Sequence, residues 1–255
     1  MSLPARSLRL SLALAAGLPA LLAGCHKADG GAAAPASGSL TGSPVAAVAP
    51  PAGKSWSDIV AITPEDGMRM GNPAAPIRLV EYGSLSCPHC AHFAETAMKP
   101  LVEKYVDSGK VSYEYRSFAI HSIDVPLTVL VHCAAPDAFF GLVEQLYANQ
   151  PALIQRAEQG HNAANAAAGL SPDKRFVAIS DAMGFTDFFS ARGVSVDQAH
   201  ACLANSASAE RVARDAQTYG DQGIDSTPTL LVNGNHTQAA TWEELEPILQ
   251  KAGAR

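Results

Sequence analysis

Ile77-Arg78-Leu79-Val80-Glu81-Tyr82, then Gly83-Ser84-Leu85-Ser86, then Cys87-Pro88-His89-Cys90: this run decides the fold. Its first part is an apolar strand, and its last part sets two thiols one helical turn apart directly after that strand. Pro88 has no amide hydrogen to lose and a fixed φ, so it suits the first helical position and leaves Cys87 at the N-cap. The unpaired amides and positive dipole end of the helix then surround the Cys87 sulfur and favour its thiolate. Such an environment moves a cysteine pKa from about 8.5 into the range of about 3.5 to 7.5. Cys87 is therefore the expected nucleophile. Cys90, a turn deeper, is the expected buried partner that closes the disulfide or resolves a mixed one. His89 stands between the thiols, where an imidazolium adds to the stabilisation of the Cys87 thiolate. The same CxxC spacing supplies half of a zinc site, but the chain has no second CxxC and no HxxxH pair to complete a tetrahedron. No metal and no cofactor beyond the redox-active disulfide is expected.

The first 24 residues read as an export signal, with Arg6 and Arg9 ahead of an Ala/Leu-rich core from Leu10 to Leu22. Gly17 and Pro19 interrupt that core, and it is too short for a comfortable membrane span. It closes on Leu21-Leu22-Ala23-Gly24-Cys25, which resembles the bacterial lipoprotein cleavage box and makes Cys25 the expected lipidated first residue of the mature chain. Residues 25–54 are rich in Ala, Gly, Pro and Ser and read as a flexible tether. Removing residues 1–24 deletes two arginines and no acid, so the formal charge goes from -6 to -8. That acidic balance, with no basic cluster, argues against a nucleic-acid partner. Export places the CxxC where disulfides form and persist.

Residues 55–255 suffice for one domain carrying an insertion. Strand-like pieces at Ile59 to Ile62 and Ile77 to Tyr82 precede a helix from Pro88 to about Val106, which buries Phe93, Ala97, Leu101 and Tyr105 and is kinked by Pro100. A strand follows at Val111 to Phe118. From about residue 121 to 220 the chain is Ala-rich and helical, with breaks expected at Pro126, Pro136, Pro151, Gly160, Pro172 and Gly193. Strand character returns at Thr229 to Val232, Asn233-Gly234 signals a type I′ hairpin, and Thr241 with Glu244 forms a capping box for a last helix. The order is α/β.

Cys87-Pro88-His89-Cys90 after a central strand, the helical insertion, and Ser226-Thr227-Pro228 ahead of the hairpin together resemble the DsbA-like branch of the thioredoxin superfamily, over about residues 58 to 253. The resemblance implies a thioredoxin-like fold with an inserted helical subdomain. It implies a cis Pro228 against the active-site disulfide, with the Thr227 backbone free to pair with a substrate peptide in a strand-like way. Glu81 matches a buried acid of the family that affects proton transfer to the inner cysteine; its plainer reading is an acid on a strand face that reaches water. Cys133 and Cys202 fall in the insert, as they do in relatives with a second disulfide, and such a bridge is structural. A second redox pair tuning the first, or two buried free thiols, are the alternatives. His121, His132 and His200 read as structural.

The implied function is a thiol:disulfide oxidoreductase of the cell envelope that oxidises cysteine pairs of exported proteins through a Cys87-Cys90 disulfide. Its partners are those exported proteins and, by family analogy, a quinone-linked membrane oxidase that resets the disulfide. The expected location is periplasmic and lipid-anchored, with His26 after the lipid cysteine pointing to the outer membrane. Thr227 before the proline is usual in relatives that reduce or isomerise disulfides as well as in some oxidases, so a reductase or isomerase is the first alternative. A lipoprotein delivering a metal such as copper through the CxxC is the second.

Overall fold

The computed structural model describes residues 40–255; the signal segment 1–24, Cys25 and the beginning of the tether lie outside the described residues. Strands β1 (Val60–Ile62), β2 (Met68–Met70), β3 (Ile77–Gly83), β4 (Val111–Ser117), β5 (Thr229–Val232) and β6 (Asn235–His236) make one sheet in the order β1-β2-β4-β3-β5-β6. β3 and β4 are parallel, in register from Ile77 opposite Val111 to Gly83 opposite Ser117, and the other pairings are antiparallel. A parallel pair needs a crossover, and α1 (Pro88–Leu101) provides it. The Cys-Pro-His-Cys run therefore starts at the carboxyl end of the central strand.

Cys90, Phe93, Ala97 and Leu101 form the buried stripe of α1 at helical spacing. Pro100 cannot donate to the helical ladder, and the α pattern gives way to a π turn over Val102–Val106, closed by Asp107 N donating to Val102 O at 2.9 Å. Tyr105 and Val106 are still buried there.

The insertion folds as α2 (Asp124–Cys133), α3 (Phe139–Ala148), α4 (Gln150–Ala167), α5 (Pro172–Ala182), α6 (Phe185–Ser190), α7 (Val196–Ala204) and α8 (Ser206–Asp221). Cys133 at the end of α2 and Cys202 in α7 are joined, with an S–S distance of 2.05 Å. Two expected breaks are absent. Pro126 sits in the first turn of α2, where no helical amide is required. α4 runs straight through Gly160, which is there because a Cβ would come within 2.1 Å of the Ala182 carbonyl oxygen of α5. α8 covers the opposite face of the sheet, where Tyr219 packs edge-on to Tyr82 at 4.8 Å and also meets Phe118.

After the insertion, Asn233 and Gly234 adopt positive φ of 53° and 79°, as a type I′ turn requires. The last helix, α9 (Trp242–Lys251), begins with the capping box of Thr241 and Glu244. At the other end of the described chain the structure corrects the composition-based tether. From Leu40 the chain lies on the domain: Gly42 N donates to Lys251 O, Val45 N to Gly253 O and Val48 N to Ser108 O, while Trp56 Nε1 donates to Val48 O at 2.7 Å. Leu40 and Val45 pack on the core, so a few apolar side chains and a ladder of backbone bonds fix a stretch that composition reads as free.

Gly160→Ala separates two effects of opposite sign. Helix propensity alone favours alanine by about 1 kcal/mol, whereas the clash with α5 backbone is expected to dominate and destabilise by about 1–3 kcal/mol. A lowered urea midpoint at unchanged m-value is the expected outcome.

Candidate active site

Cys87 is the N-cap of α1, with extended backbone and Pro88 next to it in the first turn. Both cysteines are free thiols and buried, Cys87 at 5% and Cys90 at 0% exposure. Their environments divide the acidity between them. The Cys87 thiol is pulled down from its ordinary value to about 5, chiefly by the hydrogen bond it receives from the Cys90 thiol. Burial opposes this, and the Thr227 hydroxyl and the backbone amides of Cys90 and His89 add to it. Cys90 moves the other way, raised by burial first and then by its donation to Cys87 and the nearby Glu81 charge. His89 is exposed, and it is the amide of this residue, rather than the imidazole assigned by sequence, that contributes to lowering Cys87. The side chain of a first-turn residue on the outer face stands in solvent, where its charge is screened.

The loop before β5 comes to the same place. The Thr227-Pro228 bond is cis, Pro228 is buried, and the Cys87 thiol donates to the Thr227 carbonyl at 3.4 Å. The Thr227 hydroxyl has no conventional hydrogen-bond partner and is available to the sulfur.

Beneath them lies Glu81, 2% exposed, on the face of β3 that carries Leu79; it does not reach water. Burial is the main reason its carboxyl is pushed up to about 7; the Tyr113 hydroxyl, donating at 2.6 Å, lowers it, and charge on Cys87 raises it. Tyr115, opposite Glu81 on β4, shares a 2.8 Å hydrogen bond with Tyr147.

Sequence reasoning missed how the insertion grips the loop leading to Cys87. Asp124 of α2, 0% exposed, accepts from Ser86 N at 2.9 Å and Ser84 Oγ at 3.0 Å, and also from Ile120 N and His121 N. Tyr147 of α3 donates to the Ser84 carbonyl at 3.1 Å. Gln150 of α4 donates to the carbonyls of Leu85 at 2.8 Å and Cys87 at 3.1 Å. The His121 ring nitrogen Nδ1 meets Ser86 Oγ at 2.9 Å. In sequence Asp124 and Gln150 look like ordinary first-turn residues, and only the tertiary fold reveals them as clamps.

The other predicted positions lie away from this cluster. The Cys133–Cys202 bridge ties α2 to α7. His132 is half-buried beside Phe139, and desolvation, then Arg211, push its imidazole down to about 4; His200 meets Asp181 at 2.9 Å. Among the described residues, no group of three or more His, Cys, Asp or Glu side chains is placed to hold a metal ion.

A profile of the thioredoxin family matches residues 63–251. A protein-disulfide isomerase from Novosphingobium aromaticivorans is 30% identical, with a TM-score of 0.66 over 71% of this chain and 94% of that one. Alpha-DsbA1 of Wolbachia pipientis, 18% identical, shares the fold with a TM-score of 0.58 over 75% of this chain and 92% of that chain. A putative protein-disulfide oxidoreductase from Rickettsia bellii is 26% identical over 190 residues, which is 74% of this chain and 65% of the relative, less than two thirds of its length. The chain belongs to the thioredoxin family.

Titrating the thiolate absorbance of the reduced protein distinguishes the sources of Cys87 acidity. The midpoint near 5 is expected to climb in Cys90→Ala, which removes the largest lowering contribution. It is expected to stay in place in His89→Ala, which keeps the amide; a rise there of a unit or more restores the imidazole to the role given by sequence.

Proposed function

We propose that this protein oxidises cysteine pairs of exported proteins by donating a Cys87–Cys90 disulfide. The observation that carries the reading is the division of acidity between two adjacent sulfurs, one at a helix N-cap and stabilised as thiolate, the other buried and raised. A substrate thiolate attacks the Cys87 sulfur; the Cys87–Cys90 bond breaks, and Cys90 leaves as a thiolate that takes up a proton. A second substrate thiolate then attacks the substrate sulfur of the mixed disulfide, the substrate bridge forms, and Cys87 leaves as the stabilised thiolate. A low Cys87 pKa makes it a good leaving group and favours the reduced form, so the donated disulfide is oxidising. Thr227 and Pro228 hold the substrate backbone beside Cys87. Glu81 supplies the proton that Cys90 needs. A membrane oxidase resets the disulfide.

A reductase or isomerase is the second reading, favoured by Thr227 before the cis proline and by the likeness to the Novosphingobium aromaticivorans protein-disulfide isomerase. The reduction potential of the Cys87–Cys90 pair separates the two. A value well above that of thioredoxin, about -270 mV, together with oxidation of a reduced model protein, is expected. A reducing value with repair of scrambled disulfides overturns the oxidase assignment.

The proposed location is the cell envelope, with a lipid on Cys25 and the protein facing the periplasm, the outer membrane being favoured by His26. Supporting it are the signal-like segment and cleavage box; among the described residues no helix is long and apolar enough to cross a membrane. Labelled palmitate is expected to be incorporated by the full chain and lost in Cys25→Ala, and incorporation by neither removes the lipid anchor from the proposal.

A further inference from the structure

The two carboxylate oxygens of Glu81 are in different situations. Oε2 accepts the Tyr113 hydroxyl at 2.6 Å, while Oε1 is buried and has no hydrogen-bond partner. A buried acceptor without a partner is costly and rare, so its retention asks for a use. The Tyr113 ring is fixed from the insertion side by Phe140, with centroids 5.6 Å apart. The ionisable groups facing Glu81 are Tyr113 and Tyr115 from β4, Cys87 and Cys90 from the start of α1, and Tyr147 from α3; β5 places Leu230 opposite it. Its strong hydrogen bond thus comes from a neutral hydroxyl, which steadies the carboxyl without forcing it to stay ionised.

Resting on the exchange chemistry proposed above, we propose that Tyr113 is a positioning residue: by holding Oε2, it leaves Oε1 as the oxygen that trades a proton with the Cys90 sulfur. In the opening step the incoming thiolate forms a bond to Cys87, the Cys87–Cys90 bond breaks with its electron pair going to Cys90, and the proton on Oε1 passes to that sulfur, leaving Glu81 ionised. Closure is the reverse. The protonated carboxyl is the active form in opening, so the rate per attacking thiolate falls as pH rises through the Glu81 titration, which burial lifts above the ordinary carboxylate range. The Tyr113 hydrogen bond lowers that titration, and its loss moves the fall to higher pH.

The test uses the oxidised full chain and reduced glutathione as the thiol, with rates corrected to glutathione thiolate concentration from pH 5 to 9, alongside carbon NMR of the Glu81 carboxyl. In Tyr113→Phe both the carboxyl titration and the fall in rate are expected to shift upward by on the order of one pH unit. In Glu81→Gln the fall is expected to vanish, and adding Tyr113→Phe to that variant should shift nothing further. A Tyr113→Phe profile that keeps its midpoint, or drops uniformly at every pH, overturns the positioning role while the loss of the fall in Glu81→Gln preserves the role of Glu81. A fall that persists in Glu81→Gln removes the proton donor itself and the inference with it.

Discussion

Two sulfurs held one helical turn apart in unlike environments are the constraint on which the rest of this site depends. The nearness of the Cys90 thiol as a hydrogen-bond donor is the largest single reason Cys87 is pulled down. It works because the sulfurs occupy opposite environments one helical turn apart. Cys87 caps a helix and meets its free amides, while Cys90 is sealed in the core with Phe93 and Leu101. Helix geometry fixes the separation, and burial fixes the sign of the difference. An alanine at either position would leave a fold of the same kind without the asymmetry.

Such an arrangement needs a rigid approach to Cys87, and the insertion supplies it. The loop from Ser84 to Cys87 carries backbone groups that leave the sheet before they enter the helix, so they need other partners. Asp124, Tyr147 and Gln150, from three successive helices of the insertion, satisfy them with side chains. The insertion therefore does more than cover the sheet; it holds the N-cap sulfur in register with Thr227.

The fold was legible where local chemistry leaves little choice. Pro88 at a first helical turn, Asn233-Gly234 in a hairpin and Thr241 with Glu244 at a cap each act within a few residues, and each takes the predicted form. The residues that the motif and the cis-proline loop single out, Cys87, Cys90, Thr227 and Pro228, do meet in space, with Glu81 below them. What sequence could not supply depends on distant partners. Gly160 reads as a helix breaker until α5 is laid across it, and Asp124 reads as a first-turn acid until four donors converge on it. His89, adjacent in sequence to both thiols, stands exposed, and the contribution found for it is that of its backbone amide.

The placement of the chain upstream of the domain follows from the same topology. Ile77 N bonds to Lys110 O where β3 and β4 begin, and Val48 docks on Ser108 at that end. Cys87 follows the opposite end of β3, a strand of seven residues, so roughly 20 Å of sheet separates the two. Gly42 and Val45 are pinned on Lys251, the last residue of α9, and on Gly253 just after it. Val48 thus docks at the end of the sheet away from the reactive sulfur. The sheet itself holds this part of the strap and the thiols apart.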